Sequence, residues 1–381
     1  MKTIFILIAF LSSSYIYELY KIRFEVKELT TTHLSDSVFI AGNFNSWNPS
    51  VKENSFSVDQ SGNGFYETQL PAGSYEYKFT RGDWNKVEVS VDGKDIGNRD
   101  LLLTRDTTIY VSINGWKDDF PSEQITKKHT ASMQVKIVDS AFTIPQLNRK
   151  RRIWIYLPKA YYQSKKRYGV IYMHDGQNVF DEATSGFGEW GVDEYLDSLS
   201  AKNKKESIVV AIDNGESKRM NEYNPYSFRQ YTIGEGNEYV DFLVKTLKPY
   251  IDKHFHTLNN KANTFIAGSS MGGLISLYAV LKYPSVFGGA GIFSPAFWTA
   301  DGIDKDISRL ASKMNSKLFF YAGEKESNEM VSDMKRIEQE IGAISKSPIL
   351  EKIDPKAKHN EAAWRRYFPY FYEWITNNQK P

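Results

Sequence analysis

Between residues 22 and 112 apolar and polar positions alternate in short runs. Tyr75, Tyr77 and Phe79 are interleaved with Ser74, Glu76 and Lys78, and Val87, Val89 and Val91 with Lys86, Glu88 and Ser90. Successive side chains of a strand point to opposite faces, so each run predicts a strand with one buried and one wet face. Turn residues at Asp59-Gln-Ser-Gly-Asn-Gly64, Pro71-Ala-Gly73 and Asp92-Gly93 separate the runs at the spacing of a small immunoglobulin-like β-sandwich. Residues 113–130 are polar, contain Gly and Pro, lack periodicity and read as a linker. From 131 to 381 continuous apolar runs take over at Ile153–Leu157, Val170–Met173, Ile208–Ile212, Thr264–Ala267, Gly289–Phe293 and Leu318–Tyr321. Helical patterns at Val192–Leu199, Glu238–Asp252 and Glu329–Ile341 fall among them. Strands without a polar face, alternating with helices, predict an α/β domain: a mostly parallel sheet covered on both sides, with its chemistry in the loops at the carboxyl ends of the strands.

The sharpest pattern is Asn263-Thr-Phe-Ile-Ala-Gly-Ser-Ser-Met-Gly-Gly-Leu274. A short apolar run stops at Gly268, and a helix with Leu274, Leu277, Tyr278 and Leu281 on one face follows at once. Between them lies a G-x-S-x-G centred on Ser270. In a nucleophile elbow the serine sits at the tip of a strained strand-to-helix turn, and a side chain two residues either side would collide with the strand or helix. Ser270 is therefore the candidate nucleophile.

Length and composition narrow the setting. A chain of 381 residues, 41% apolar and 25% charged, suits a soluble globular protein of two domains. With 48 basic and 46 acidic residues there is no electrostatic footprint for nucleic acid, and the tetrad Arg149-Lys-Arg-Arg152 reads as the solvated start of a strand. The chain has no cysteine, which excludes disulfides, thiol catalysis and cysteine-ligated zinc. Met1-Lys2, the apolar run Ile4 to Leu11 and Ser12-Ser-Ser14 have the layout of a signal peptide over residues 1–14, which predicts a secreted or periplasmic protein without a membrane anchor once that segment is removed.

The residues after the other strands complete a candidate site. His174-Asp-Gly-Gln-Asn178 follows the second strand of the α/β domain, and its glycine turn can aim a backbone N–H towards Ser270. With the N–H of Met271 it would make a cradle for an oxyanion. Ala322-Gly-Glu-Lys-Glu-Ser327 offers Glu324 or Glu326 as an acid, and His359 stands in a polar loop before a C-terminal helix as the candidate base. The order Ser, Glu, His is that of α/β-hydrolases. Aromatic residues after strand ends, Trp190 and Trp298 with Phe180, Phe187 and Phe297, are candidates for a substrate pocket.

Two family resemblances add to this reading. Arg152-Ile-Trp-Ile-Tyr-Leu-Pro158, Tyr172-Met-His-Asp-Gly-Gln-Asn-Val-Phe180, Glu189-Trp-Gly-Val-Asp193, Ala211-Ile-Asp-Asn-Gly215, Ala267-Gly-Ser-Ser-Met-Gly-Gly273 and His359-Asn-Glu-Ala-Ala-Trp364 resemble the putative-esterase family of α/β-hydrolases. That family includes carbohydrate esterase family one, enterochelin esterases and S-formylglutathione hydrolase. The resemblance implies a serine esterase that needs no metal or organic cofactor, with Ser270, Glu326 and His359 as triad and the backbone of Gly176 and Met271 as oxyanion hole. The family's spacing after the strand selects Glu326 over Glu324.

Gly42-Asn-Phe-Asn-Ser-Trp-Asn-Pro49 and Tyr75-Glu-Tyr-Lys-Phe79 with Trp84 resemble a glycogen-binding type of carbohydrate-binding module, which implies that Trp47 and Trp84 stack on sugar rings. Together the resemblances imply a substrate that is a polysaccharide or small-molecule ester, foremost feruloyl or acetyl groups on xylan. A siderophore esterase, or a carbohydrate-binding protein with an inactive hydrolase domain, is the alternative.

Overall fold

The computed structural model describes residues 19–376 apart from 31, 46, 121–126, 201, 203, 229–232 and 328, so the expected export signal at 1–14 lies outside the described residues. The chain divides into two compact units, Met1–Glu123 and Gln124–Pro381. No helix among the described residues is long and apolar enough to cross a membrane.

The first unit is all β. Strands β1 (Leu19–Leu29), β2 (Val38–Gly42), β3 (Ser55–Phe56), β4 (Gly64–Pro71), β5 (Gly73–Thr80), β6 (Arg99–Leu103) and β7 (Thr107–Ile113) form a three-stranded sheet, β4-β1-β7, and a four-stranded sheet, β3-β2-β5-β6. The expected alternation is present in β5, where Tyr75, Tyr77 and Phe79 are buried and join Phe24, Ile40 and Val111 in one core. It fails at 86–91, which forms only isolated bridges, and Glu88, expected on a wet face, is 1% exposed. Its carboxylate is held by both Nε and Nη2 of Arg99 and by the backbone N–H of Phe79 at 2.9 Å, so a charge rather than an apolar ring fills that interior position. Trp116, inside the stretch expected to be a linker, is fully buried in the same core.

The second unit is built on one eight-stranded sheet. To β8 (Val135–Ile144), β9 (Arg149–Tyr156), β10 (Gly169–Met173), β11 (Ser207–Ile212), β12 (Thr264–Ser269), β13 (Gly289–Phe293), β14 (Lys317–Gly323) and β15 (Ile349–Asp354) corresponds the spatial order β15-β14-β13-β12-β10-β11-β9-β8. The strands from β15 to β11 are parallel, and β9 and β8 are antiparallel to their neighbours. Strands β10 to β13 are buried at every residue, which is why their sequences carry no alternation. Edge strands β8 and β15, which mix apolar with polar residues and are partly exposed, gave no such signal. The elbow helix Met271–Lys282 is buried over Met271–Leu281, all the way round rather than on one face.

In the basic tetrad at the start of β9 the three arginines are engaged rather than solvated, while Lys150 is exposed. Arg149 pairs with Glu222 and Glu235, Arg151 with the same fully buried Glu222, and Arg152 with Asp213. The end of the expected linker is also tied down, with His129 Nδ1 at 2.7 Å from Asp181 and Thr130 Oγ1 donating to Glu189 at 2.8 Å.

Candidate active site

Three neighbouring parallel strands end in the same unusual way. The residues at or just after the carboxyl ends of β10, β12 and β13 are Asp175, Ser270 and Ser294, and all three are non-glycine residues in positive-φ conformations, at 54°, 58° and 43°. Each costs of order 1–3 kcal/mol of backbone strain and persists only because its surroundings over-determine it. At Ser270 the determinants are visible. Its N–H donates to Phe293 O at 2.9 Å, and its carbonyl accepts from Gly273, Leu274 and Ala296. A Cβ on Gly268 would lie 2.9 Å from both Gly272 C and His174 Cδ2, so the crossing of strand and helix at this point requires the glycine. Ser270 is left half-buried at the start of the helix.

His359 Nδ1 donates to Glu326 Oε2 at 2.8 Å. The other carboxylate oxygen accepts from Ser294 Oγ at 2.7 Å and from the Gly323 N–H at 2.6 Å, so the buried Glu326 has no rotational freedom. Ser294 Oγ in turn accepts from Trp364 Nε1 at 2.8 Å, and the His359 ring meets the Trp364 ring edge-on at 5.0 Å. Glu324 is exposed and makes no contact with His359 among the described residues. With Nδ1 carrying the proton, the neutral imidazole presents Nε2 as its acceptor nitrogen. Among the described residues no hydrogen bond joins Ser270 Oγ to His359. The two are linked instead through Ser270 N–H to Phe293 O, then the adjacent Ser294, then Glu326. Catalytic hydrogen bonds of this kind commonly tighten only when substrate is bound.

The turn after β10 has open donors. Gly176 begins a single helical turn, Gly176–Asn178, and its missing side chain is required because a Cβ there would lie 2.8 Å from Asp213 N, at the end of β11. Neither the Gly176 N–H nor the Met271 N–H has an acceptor among the described residues, as a pair of oxyanion donors needs. Asp175, in front of the turn, receives Arg219 Nε at 2.6 Å, Arg219 Nη2 at 2.9 Å and Asn214 Nδ2 at 2.7 Å. Burial alone would raise its pKa, but the Arg219 guanidinium holds it below the ordinary value. Burial pushes His174 down to about 3. It stays neutral, with Nδ1 sharing a hydrogen bond with the Tyr239 hydroxyl, and is a structural ring rather than a base.

Of the aromatic candidates only some can face a substrate. Trp190 is buried, stacked on Trp364 at 5.7 Å and edge-on to Phe293 at 4.9 Å, because the indole fills the space under the C-terminal helix Glu361–Thr376. Phe180 and Phe297 are buried as well. Trp298 is 39% exposed and lies edge-on to Phe228 at 5.6 Å, and Phe187 is exposed. In the first unit Trp47 and Trp84 are 6.3 Å apart with their planes at 42°, Trp84 39% exposed, and Trp47 held in a positive-φ turn by its N–H to Gly42 O.

A family model described as "Putative esterase" matches residues 144–373, more than half of the chain and all of the strand-end positions just described. The chain belongs to that family. The esterase is 23% identical over 241 residues to the Bacillus subtilis protein YbbA, covering 59% of this chain and 92% of that one. It is 28% identical over 216 residues to an endo-1,4-beta-xylanase/feruloyl esterase of Xylanibacter ruminicola, covering 56% of this chain and 27% of that longer one. The enterobactin esterase FES of Shigella flexneri has the same fold with a TM-score of 0.50 at 16% identity, covering 86% of this chain and 85% of that one.

The sequence reading missed the supporting residues. Arg219, Asn214, Ser294 and Trp364 hold the candidates in place from distant positions in the chain; Asn214 and Trp364 stand in segments that carry the family resemblance, and Ser294 directly follows a strand, but no local pattern gave any of the four a role.

Proposed function

We propose that this esterase is a serine carboxylic-ester hydrolase with Ser270 as nucleophile, His359 as general base and Glu326 as the residue that orients the imidazole. The observation that carries the reading is the 2.8 Å bond from His359 Nδ1 to a Glu326 whose second oxygen is itself fixed, beside the strained turn at Ser270. His359 Nε2 takes the Ser270 proton as Oγ attacks the ester carbonyl carbon. The negative oxygen that forms turns to the N–H groups of Gly176 and Met271. Collapse of the tetrahedral species expels the alcohol, which receives the proton from His359. Water activated by the same nitrogen then releases the acid from the acyl-serine.

For substrate, we infer feruloyl or acetyl esters on plant polysaccharide, reached after export under the signal at 1–14. The relationship to a xylanase/feruloyl esterase supports this, as does the pair of neighbouring indoles, the exposed Trp84 and the half-buried Trp47, which suits stacking on sugar rings in the first unit. Trp298, partly exposed two residues after Ala296, whose N–H donates to the Ser270 carbonyl, is the aromatic placed to contact an acyl group near the elbow. A siderophore trilactone is the second reading, favoured by the likeness to an enterobactin esterase over 86% of the chain. The test is release of p-nitrophenol from p-nitrophenyl acetate by the wild type and by Ser270→Ala, followed by release of ferulate and acetate from arabinoxylan beside hydrolysis of a cyclic catecholate trilactone. Activity that disappears with Ser270 supports the nucleophile, and the preferred natural ester decides between the substrates. A wild type inert on all of these esters would sink the reading and favour a carbohydrate-binding protein with an inactive hydrolase domain.

A further inference from the structure

One buried acid near the site has no part in this chemistry. Glu361 opens the C-terminal helix two residues after His359 and is 5% exposed. Its Oε1 accepts from Asn178 Nδ2 at 3.2 Å. Asn178 is the last residue of the turn that begins at Gly176, and it is a junction in its own right. Its N–H donates to Asp175 O at 2.8 Å, its carbonyl accepts from Trp190 N–H at 2.9 Å, and its Oδ1 accepts from Gly186 N–H at 3.3 Å. Across from Glu361 the chain has no side chain at Gly188, whose φ is 105° and where a Cβ would lie 3.7 Å from Glu361 Cβ.

The single hydrogen bond between Glu361 and Asn178 therefore joins the segment that carries the candidate base to the turn that carries an open backbone donor. Sequence separation between the two is large, and elsewhere the two segments meet through packing around Trp190 and Trp364 and through the half-exposed pair of Arg365 with Glu189, farther from the turn. A carboxyl in such a position fixes the distance between base and oxyanion donors, on which the reaction geometry depends.

We propose that Glu361 is a positioning residue of the hydrolytic site, whose carboxyl ties the turn carrying Gly176 to the segment carrying His359. The inference rests on the esterase reading above. The charges around Glu361 are the Asp175 carboxylate, the Arg219 guanidinium and the His359 imidazole, and one helical turn on Arg365 is paired with Glu189 at 3.1 Å. Burial, reinforced by Asp175 and opposed by His359 and Arg219, pushes Glu361 up to about 7. Below neutrality the group is a neutral acid that an amide can imitate. Above it the group is a carboxylate, which grips Asn178 Nδ2 more strongly than an amide oxygen can.

The experiment uses the full chain and p-nitrophenyl acetate, with kcat and KM measured from pH 6 to pH 8.5 for the wild type, Glu361→Gln, Glu361→Ala, Asn178→Ala and the Glu361→Ala/Asn178→Ala pair. Glu361→Ala is expected to lower kcat by about 10- to 100-fold with little change in KM, the scale of a misplaced catalytic group. Asn178→Ala should lose a similar factor, and the double variant should lose no more than the worse single, because both remove one connection. Glu361→Gln should match the wild type within about threefold at pH 6 and fall behind it at pH 8.5 as the wild-type group ionises.

If Glu361→Ala does not fold, the pH dependence of the Glu361→Gln ratio decides alone. A merely structural acid would leave that ratio flat, and a flat ratio overturns the proposal. So does a Glu361→Ala with undiminished kcat, or losses that multiply in the double variant. These failures leave Ser270-dependent activity standing, whereas a wild type without esterase activity overturns this inference together with the reading beneath it.

Discussion

The two units differ in how completely they pair the charge they bury. In the sandwich each interior charge has a partner of the other sign: Arg81, with a side chain 2% exposed, holds Asp36 and Asp118, and Glu88 is clasped by Arg99. In the α/β unit Asp175 is likewise paired with Arg219, and Glu222 with Arg149 and Arg151, but two other buried ionisable groups near the strand ends have no partner of opposite charge. His174 stays neutral with Nε2 unpartnered, and Glu361 meets a neutral amide. In this unit the positive-φ residues at the ends of β10, β12 and β13 gather where those groups lie. A paired interior charge holds a structure together. Incomplete pairing and stored strain mark the place where groups must change charge during a reaction.

The comparison can be broken at several points. Ser270→Ala should abolish ester hydrolysis, by about six orders of magnitude in kcat, with an unchanged circular dichroism spectrum. Glu326→Gln, which supplies an amide where His359 Nδ1 needs an acceptor, should reduce kcat by about 10⁴, read in the same assay. In the sandwich the expected effect lies on stability instead. Arg99→Ala leaves Glu88 buried without its cation and should destabilise the first unit by about 3–5 kcal/mol, seen as an earlier urea transition. Hydrolysis of p-nitrophenyl acetate should persist through that transition.

Glu361 gives a smaller effect of opposite sign. Its folded value of about 7 lies above its ordinary 4.5, so its contribution to stability is fully present below pH 4.5 and is lost as pH rises through 7. Glu361→Gln removes that loss. It should match the wild type in unfolding free energy at pH 4.5 and exceed it by roughly 3 kcal/mol at pH 8, measured by urea denaturation at both values. A variant that is more stable but slower at pH 8 is what an acid retained for function would produce. The smallest stability effect is at Trp84, whose replacement by Ala should change the unfolding free energy of the first unit by no more than about 0.5 kcal/mol, read by urea denaturation. Retention on insoluble arabinoxylan should nevertheless fall, and unchanged retention would remove the indole pair from the function.

The elbow and the central strands were legible because their constraints are local. Gly268 and Gly272 flank Ser270 within five residues, and β10 to β13 are short runs with no polar face. The alternation at 86–91 misled because Glu88 is stabilised inside by Arg99, a partner on another strand. Trp116 looked like part of a linker because its neighbours are polar, and its burial depends on two sheets formed far away in the chain. Trp190 resembled a pocket residue for the converse reason: it was counted among the aromatics that follow strand ends, but the C-terminal helix closes over it. The tie between Glu361 and Asn178 spans 183 residues and leaves no trace in either local pattern.

The turn at Ser270 also offers a chemical handle. The side chain at 270 stands at the amino end of a buried helix, where the aligned peptide dipoles favour a thiolate over a thiol. Since the chain has no cysteine, Ser270→Cys would carry its sole sulfhydryl group, set in an acidifying position. A maleimide or iodoacetamide dye would label that one atom, and its emission would report how wet the surroundings of the turn are and what approaches it.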